Sequence, residues 1–154
     1  MEEILSKPTL SFTASEHHSS DAQWVSANRI TKSVLIVDDN AFVCEALCEL
    51  FQREADFEVC GRAENGKEAI EKARELHPDL IVLDFSMPVM NGFDAARVLK
   101  RMMPSIVLIM YSAFGDRLVK HQAQLIGIAE VVSKSENASA LIETARNLVS
   151  QAAA

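Results

Sequence analysis

From Ser33 onward the chain alternates short apolar runs with longer stretches in which apolar residues recur every third or fourth position. Continuous apolar runs bounded by turn residues are the pattern of strands buried on both faces, and the longer period is that of amphipathic helices. The predicted strands are Val34–Val37, Glu58–Arg62, Leu80–Leu83, Ile106–Met110 and Ala129–Val132. The predicted helices are Ala41–Glu54, Gly66–Leu76, Phe93–Arg101, Asp116–Leu125 and Asn137–Val149. Regular strand–helix alternation implies successive βαβ units and hence an α/β fold, a three-layer doubly wound parallel sheet.

Local signals refine the pattern. In the first helix Val43, Leu47, Leu50 and Glu54 share one stripe, which predicts an inward face ending polar, with Glu45 and Glu49 outward. His77-Pro78 ends the second helix, because the residue before proline is pushed out of the α region. Asn91-Gly92 supplies a turn and a cap ahead of the third. Residues 1–32 are polar and without sustained period, so they are expected to form a disordered tail; residues 33–150 form one domain and 151–154 a short C-terminal tail. Within the first segment, His17 and His18 are read as solvated rather than as ligands, and Trp24, Val25 and Ile30 as the residues able to dock on the domain.

The candidate chemistry lies where the predicted strands stop. Asp38 and Asp39 directly follow the first apolar run, and Asp84 follows the third. Neighbouring parallel strands bring such ends together at the crevice where these sheets bind ligands. Three converging carboxylates repel one another, so they require a cation or a raised pKa, and a hard, oxygen-seeking ion such as Mg2+ suits them. Ser112 and Lys134 fall at the ends of the fourth and fifth strands. Carboxylates, a hydroxyl and an ammonium on one rim form a set suited to phosphoryl transfer onto a carboxylate, with Asp84 as the nucleophile.

Composition narrows the classes. The 154 residues suffice for one domain, and the net charge of −7 argues against unaided, direct nucleic-acid binding through phosphates. No apolar stretch is long enough to span or insert in a membrane, and Met1-Glu2-Glu3 has the wrong sign for a secretory leader, so a cytoplasmic location is expected. Cys44, Cys48 and Cys60 form no even framework, which fits unpaired thiols in a reducing compartment.

The run Val34-Leu-Ile-Val-Asp-Asp-Asn40, the segment His77-Pro-Asp-Leu-Ile-Val-Leu-Asp-Phe-Ser-Met-Pro-Val-Met-Asn-Gly92, Ser112-Ala113 and Lys134 together resemble the receiver domain of bacterial two-component response regulators, over about residues 33 to 150. The resemblance implies a flavodoxin-like sheet in the order 2-1-3-4-5. It implies that Asp84 is the phosphoacceptor, that Asp39 and Asp84 ligate Mg2+ directly, that Asp38 acts largely through water, and that the Ser86 carbonyl completes the protein ligands. Lys134 would pair with Asp84 or the phosphoryl group, and Ser112 would swing toward that group once attached. Two positions depart from the family pattern. Val131 stands where an aromatic is usual, and Ser135 follows Lys134 where proline is common, leaving the cis peptide of the family open.

The leading expectation is therefore a phosphoprotein switch charged by a sensor histidine kinase or a histidine phosphotransfer protein, signalling to a downstream protein through its fourth helix, fifth strand and fifth helix. It is not an enzyme beyond phosphoryl transfer to, and hydrolysis from, its own aspartate. Only twenty residues follow Lys134, too few for an output domain. The alternative is a pseudo-receiver, an interaction module working without phosphorylation, which the missing aromatic suggests and the intact acidic set opposes. A nucleotide-binding enzyme is disfavoured by the lack of G-x-G-x-x-G or Walker A sequences.

Overall fold

The computed structural model describes residues 31–113 and 115–153. The strands are β1 (Lys32–Val37), β2 (Phe57–Ala63), β3 (Leu80–Leu83), β4 (Val107–Ser112) and β5 (Glu130–Ser133). The helices are α1 (Ala41–Gln52), α2 (Gly66–Leu76), α3 (Gly92–Met102), α4 (Arg117–Ile126) and α5 (Ala138–Ala153). All strands run parallel in the order β2-β1-β3-β4-β5, as the resemblance implied.

Side chains alternate between the two faces of the sheet. Leu35, Val37, Ile81, Leu83, Leu108 and Met110 pack against α2, α3 and α4, while Val34, Ile36, Leu80, Val82 and Ile109 pack against α1 and α5. Both faces are buried beneath helices, which is why β1 and β3 read as unbroken apolar runs. On α1 the inward face is Cys44, Leu47, Cys48 and Phe51. This corrects the predicted stripe: Val43 and Leu50 only flank the core, and Glu54 lies beyond the helix. The two thiols are small apolar groups in that face, and burial pushes them up, away from thiolate character.

Helix ends follow the capping signals. Asn40, Asn65, Asn91 and Asp116 each accept backbone N–H groups of the first turns of α1 to α4. His77 closes α2 in the left-handed conformation, with φ 49°, directly before Pro78. The α5 helix continues to Ala153 through the residues expected to form a tail, because Ser150, Gln151 and Ala152 contain no breaker. Lys32, expected in the amino-terminal tail, belongs to β1 and pairs with Phe57. His17, His18, Trp24 and the remaining expectations for that tail lie outside the described residues. No helix among the described residues is long and apolar enough to cross a membrane.

The edge strand β2 carries one irregularity. Val34 pairs with Val59 and Leu35 with Gly61, so Cys60 is an extra residue and the strand bulges there. A one-residue slip exchanges the faces of everything after it. Arg62 is thereby turned toward α1, where its guanidinium meets the Glu45 carboxylate at 3.3 Å, and Ala63 is turned into the opposite core.

Candidate functional site at the carboxyl rim of the sheet

The crossover between β1 and β3 leaves their carboxyl ends adjacent. Val37 pairs with Leu83, the Asp84 N–H donates to the Val37 carbonyl at 2.9 Å, and the Asp38 N–H donates to the Ala63 carbonyl at 3.1 Å. These backbone bonds set Asp38 and Asp84 side by side, both buried. Asp39 is exposed, and one carboxylate oxygen of each of the three aspartates lies within 4.8 Å of the others. Asp39 does not cap α1; Asn40 does, and its own N–H donates to Asp38 Oδ1 at 2.9 Å, leaving Asp39 turned to the rim.

Lys134 reaches this pair from the end of β5. Its N–H donates to the Ser112 carbonyl at 2.8 Å, and its Nζ lies 2.8 Å from Asp38 Oδ2 and 3.3 Å from Asp84 Oδ1. The ammonium thus bridges both buried carboxylates. Burial and the neighbouring Asp38 raise the Asp84 carboxyl above the ordinary range, and Lys134 opposes them only in part. Burial lowers the Lys134 ammonium, but Asp38 and Asp84 outweigh it and hold the group above its usual value. One positive charge cannot balance three carboxylates, and an all-oxygen donor set of this compactness fits a hard divalent cation.

Ser112 is the last residue of β4, fully buried, opposite Ser133 of β5. Ser86 sits exposed two residues beyond Asp84. The loop between them and α3 is held by two close approaches. The Gly92 N–H donates to the Phe85 carbonyl at 2.8 Å, and a Cβ on Gly92 would stand 2.3 Å from the Asp84 carbonyl oxygen. The Gly66 N–H donates to the Met90 carbonyl at 3.1 Å, and a Cβ there would stand 2.7 Å from that oxygen. At the loop's tip the Met90 N–H donates to the Pro88 carbonyl at 2.7 Å across Val89, whose φ is 69°. A three-residue turn with positive φ is strained, more so for an exposed β-branched residue. All described peptide bonds are trans, including that between Lys134 and Ser135.

The rim therefore collects Asp38, Asp84 and Lys134 by direct contact, Asp39 by a carboxylate oxygen within 4.8 Å of the other two carboxylates, and Ser112 and Ser86 by strand and loop position. Sequence reasoning missed Arg62 and Gly66. Arg62 lines, with Asp38, Asp39, Cys44 and Glu45, a groove of about 500 Å3 beside the acid cluster. It faces that groove only because of the bulge at Cys60, which no run of apolar residues signals.

An acid pocket bridged by lysine, at the switch point of a 2-1-3-4-5 sheet, defines a doubly wound signalling-type α/β domain. The chain belongs to the response regulator receiver domain family, whose profile matches residues 34–146. It is 39% identical over 120 residues to the chemotaxis protein CheY of Thermotoga maritima, covering 78% of this chain and 98% of that protein. It is 33% identical to the transcriptional regulatory protein LnrK of Bacillus subtilis over 71% of this chain, but spans only 50% of LnrK. Among solved structures, the response regulator domain of Thermotoga maritima CheB superposes with a TM-score of 0.74 at 30% identity, covering 78% of this chain and 97% of that domain. The Borrelia burgdorferi CheX–CheY complex with BeF3 and Mg2+ gives 0.73 at 25% identity, covering 77% of this chain and 90% of that one. Receiver domains bind Mg2+ at an acidic pocket, and the aspartate cluster is such a pocket.

Proposed function

We propose that this chain is a phosphorylation-controlled switch in which Asp84 accepts a phosphoryl group from a sensor histidine kinase or a histidine phosphotransfer protein. The observation that carries the reading is the Lys134 ammonium bridging Asp38 and Asp84 inside a cluster of three carboxylates. Asp38, Asp39, Asp84 and the Ser86 carbonyl would hold Mg2+, which supplies charge neutralisation to the incoming phosphoryl oxygens. An Asp84 oxygen attacks phosphorus as the donor nitrogen leaves, forming an acyl phosphate. Lys134 neutralises charge at the new group, and the Ser112 hydroxyl donates to one of its oxygens. The altered surface at α4, β5 and α5 then meets a downstream protein.

Acetyl phosphate with Mg2+ should add one phosphoryl group to the wild type by intact-mass measurement. Asp84→Ala should take none, and Asp39→Ala should weaken Mg2+ binding and labelling together. Labelling retained in Asp84→Ala would place the acceptor elsewhere. The absence of labelling in the wild type would favour a phosphorylation-independent interaction module, the reading to which Val131 points.

A further inference from the structure

The charge on the molecule is not evenly spread. The chain as a whole is at −7, yet α3 and α4 carry Arg97, Lys100, Arg101, Arg117 and Lys120 against a single carboxylate, Asp94. Between these helices runs a groove of about 430 Å3 lined by Arg97, Lys100, Arg101, Gln122, Leu125 and Ile126. Arg97 and Arg101 stand one helical turn apart on its α3 wall. Asp94 holds Arg97 at 2.8 Å in an exposed pair, which contributes little and leaves the charge available to another carboxylate. Lys100, also in the lining, donates to the carbonyls of Pro104 and Ile106, and Arg101 has no side-chain partner among the described residues.

The α4 wall is apolar where it should be polar. Leu125, on that wall, is 70% exposed, and Leu118, seven residues earlier and 72% exposed, continues the same stripe two turns beyond the groove's lining. Two exposed leucines beside a row of guanidinium groups, on an otherwise acidic protein, are complementary to one kind of surface.

We propose that the α3–α4 groove docks an acidic amphipathic helix of a partner protein, its apolar stripe seated on Leu118 and Leu125 and its carboxylates on Arg97 and Arg101. A helix presents apolar residues seven apart in register with this stripe, and carboxylates one turn apart match the two arginines. Such an interface is steered by charge and weakens with salt. It uses the flank of α4 turned toward α3.

The test is an NMR titration of the full-length, unphosphorylated chain with a sixteen-residue synthetic helix of leucine and glutamate, leucines on one stripe. The same peptide with lysine replacing glutamate is the control. Amide shifts are expected at Arg97, Arg101, Leu118, Gln122 and Leu125, with affinity falling about tenfold between low and physiological salt. Arg97→Glu/Arg101→Glu should weaken binding at least about tenfold, the scale of two lost charge pairs. Leu118→Ser/Leu125→Ser should do the same while leaving the protein's thermal unfolding unchanged, since neither leucine is buried. Equal binding of the lysine peptide, shifts centred on another face, or indifference to both double variants would overturn the proposal. So would sedimentation showing that a second copy of this chain already occupies the groove.

Discussion

At the scale of single residues, the site is held in a state of unbalanced charge. Asp84 is raised above the ordinary carboxylate value of about 3.9, so the folded chain holds that proton more tightly than the unfolded one. Its contribution is most favourable below that value and is lost as pH rises through the raised one. At neutral pH without Mg2+ the ionised Asp84 therefore opposes folding. Asp84→Asn should be more stable than wild type by about 1 kcal/mol in chelator, with the difference shrinking as pH falls toward 4, read by thermal unfolding. Lys134 acts with the opposite sign. Its raised ammonium contributes stability that is complete below its ordinary value of about 10.4 and lost as pH rises through the raised one. Removing it leaves Asp38 and Asp84 buried against each other, so Lys134→Ala should cost about 3 kcal/mol at neutral pH. Adding Asp84→Asn to that variant should recover about 2 kcal/mol, more than the ~1 kcal/mol it gains in the wild type, because Lys134 and Asp84 touch and the loss of Lys134 leaves Asp84 facing Asp38 unrelieved. Simple additivity of the two changes would show that Lys134 is held by Asp38 alone. Mg2+ should stabilise the wild type and erase the advantage of Asp84→Asn.

At the scale of elements, the sequence announces what repeats and hides what happens once. Leu80–Leu83 is apolar at every position, and a strand buried on both faces must be. The aspartates, Ser112 and Lys134 were legible because each ends such a run, and strand ends of one parallel sheet share a rim. Alternation could not show that β4 reaches Ser112 rather than stopping at Met110, since a buried hydroxyl reads as the end of an apolar run. Nor could it show the true inner face of α1, where cysteines take positions that the hydrophobic stripe assigned to Val43 and Leu50. The bulge at Cys60 and the Gly66–Met90 contact depend on neighbours distant in sequence and left no local mark. Gly92 is intermediate: its place after Asn91 suggests a turn, but its reason is the Asp84 carbonyl that a Cβ would strike. Gly92→Ala should therefore push the start of α3 away from β3, cost about 3 kcal/mol and abolish labelling by acetyl phosphate. Gly115→Ala serves as the comparison, because among the described residues a Cβ there meets nothing closer than Ser133 Cβ at 3.9 Å. If Gly92→Ala labels like wild type, the loop after Asp84 is more yielding than its contacts imply.

At the scale of the whole molecule, a phosphoryl group at Asp84 can shift the structure only through contacts it makes better in one state than in another. The element most open to such a shift is α4. Ala123 is its only fully buried residue, whereas α1, α2, α3 and α5 each bury four. An element with so few buried contacts has a small free energy of local rearrangement. Its amino end is tied by the Asp116 side chain accepting the Val119 N–H at 2.9 Å, and Gly115 precedes it with room on its Cα. Beneath α4, Val131 is buried in the core, so no aromatic ring stands in β5 to turn inward as Ser112 moves. The route open to Ser112 runs along its own chain, through Ala113 and Gly115 to the first turn of α4. Backbone NMR with beryllofluoride and Mg2+ should accordingly move Ala113, Gly115 and Asp116 through Lys120 more than Val131 and Val132. Ser112→Ala should remove most of that shift while leaving beryllofluoride binding at Asp84 within about tenfold, the scale of one charge-assisted hydrogen bond. Shifts confined to β5, or unchanged in Ser112→Ala, would mean that the signal leaves through the sheet and that α4 is a passive cover.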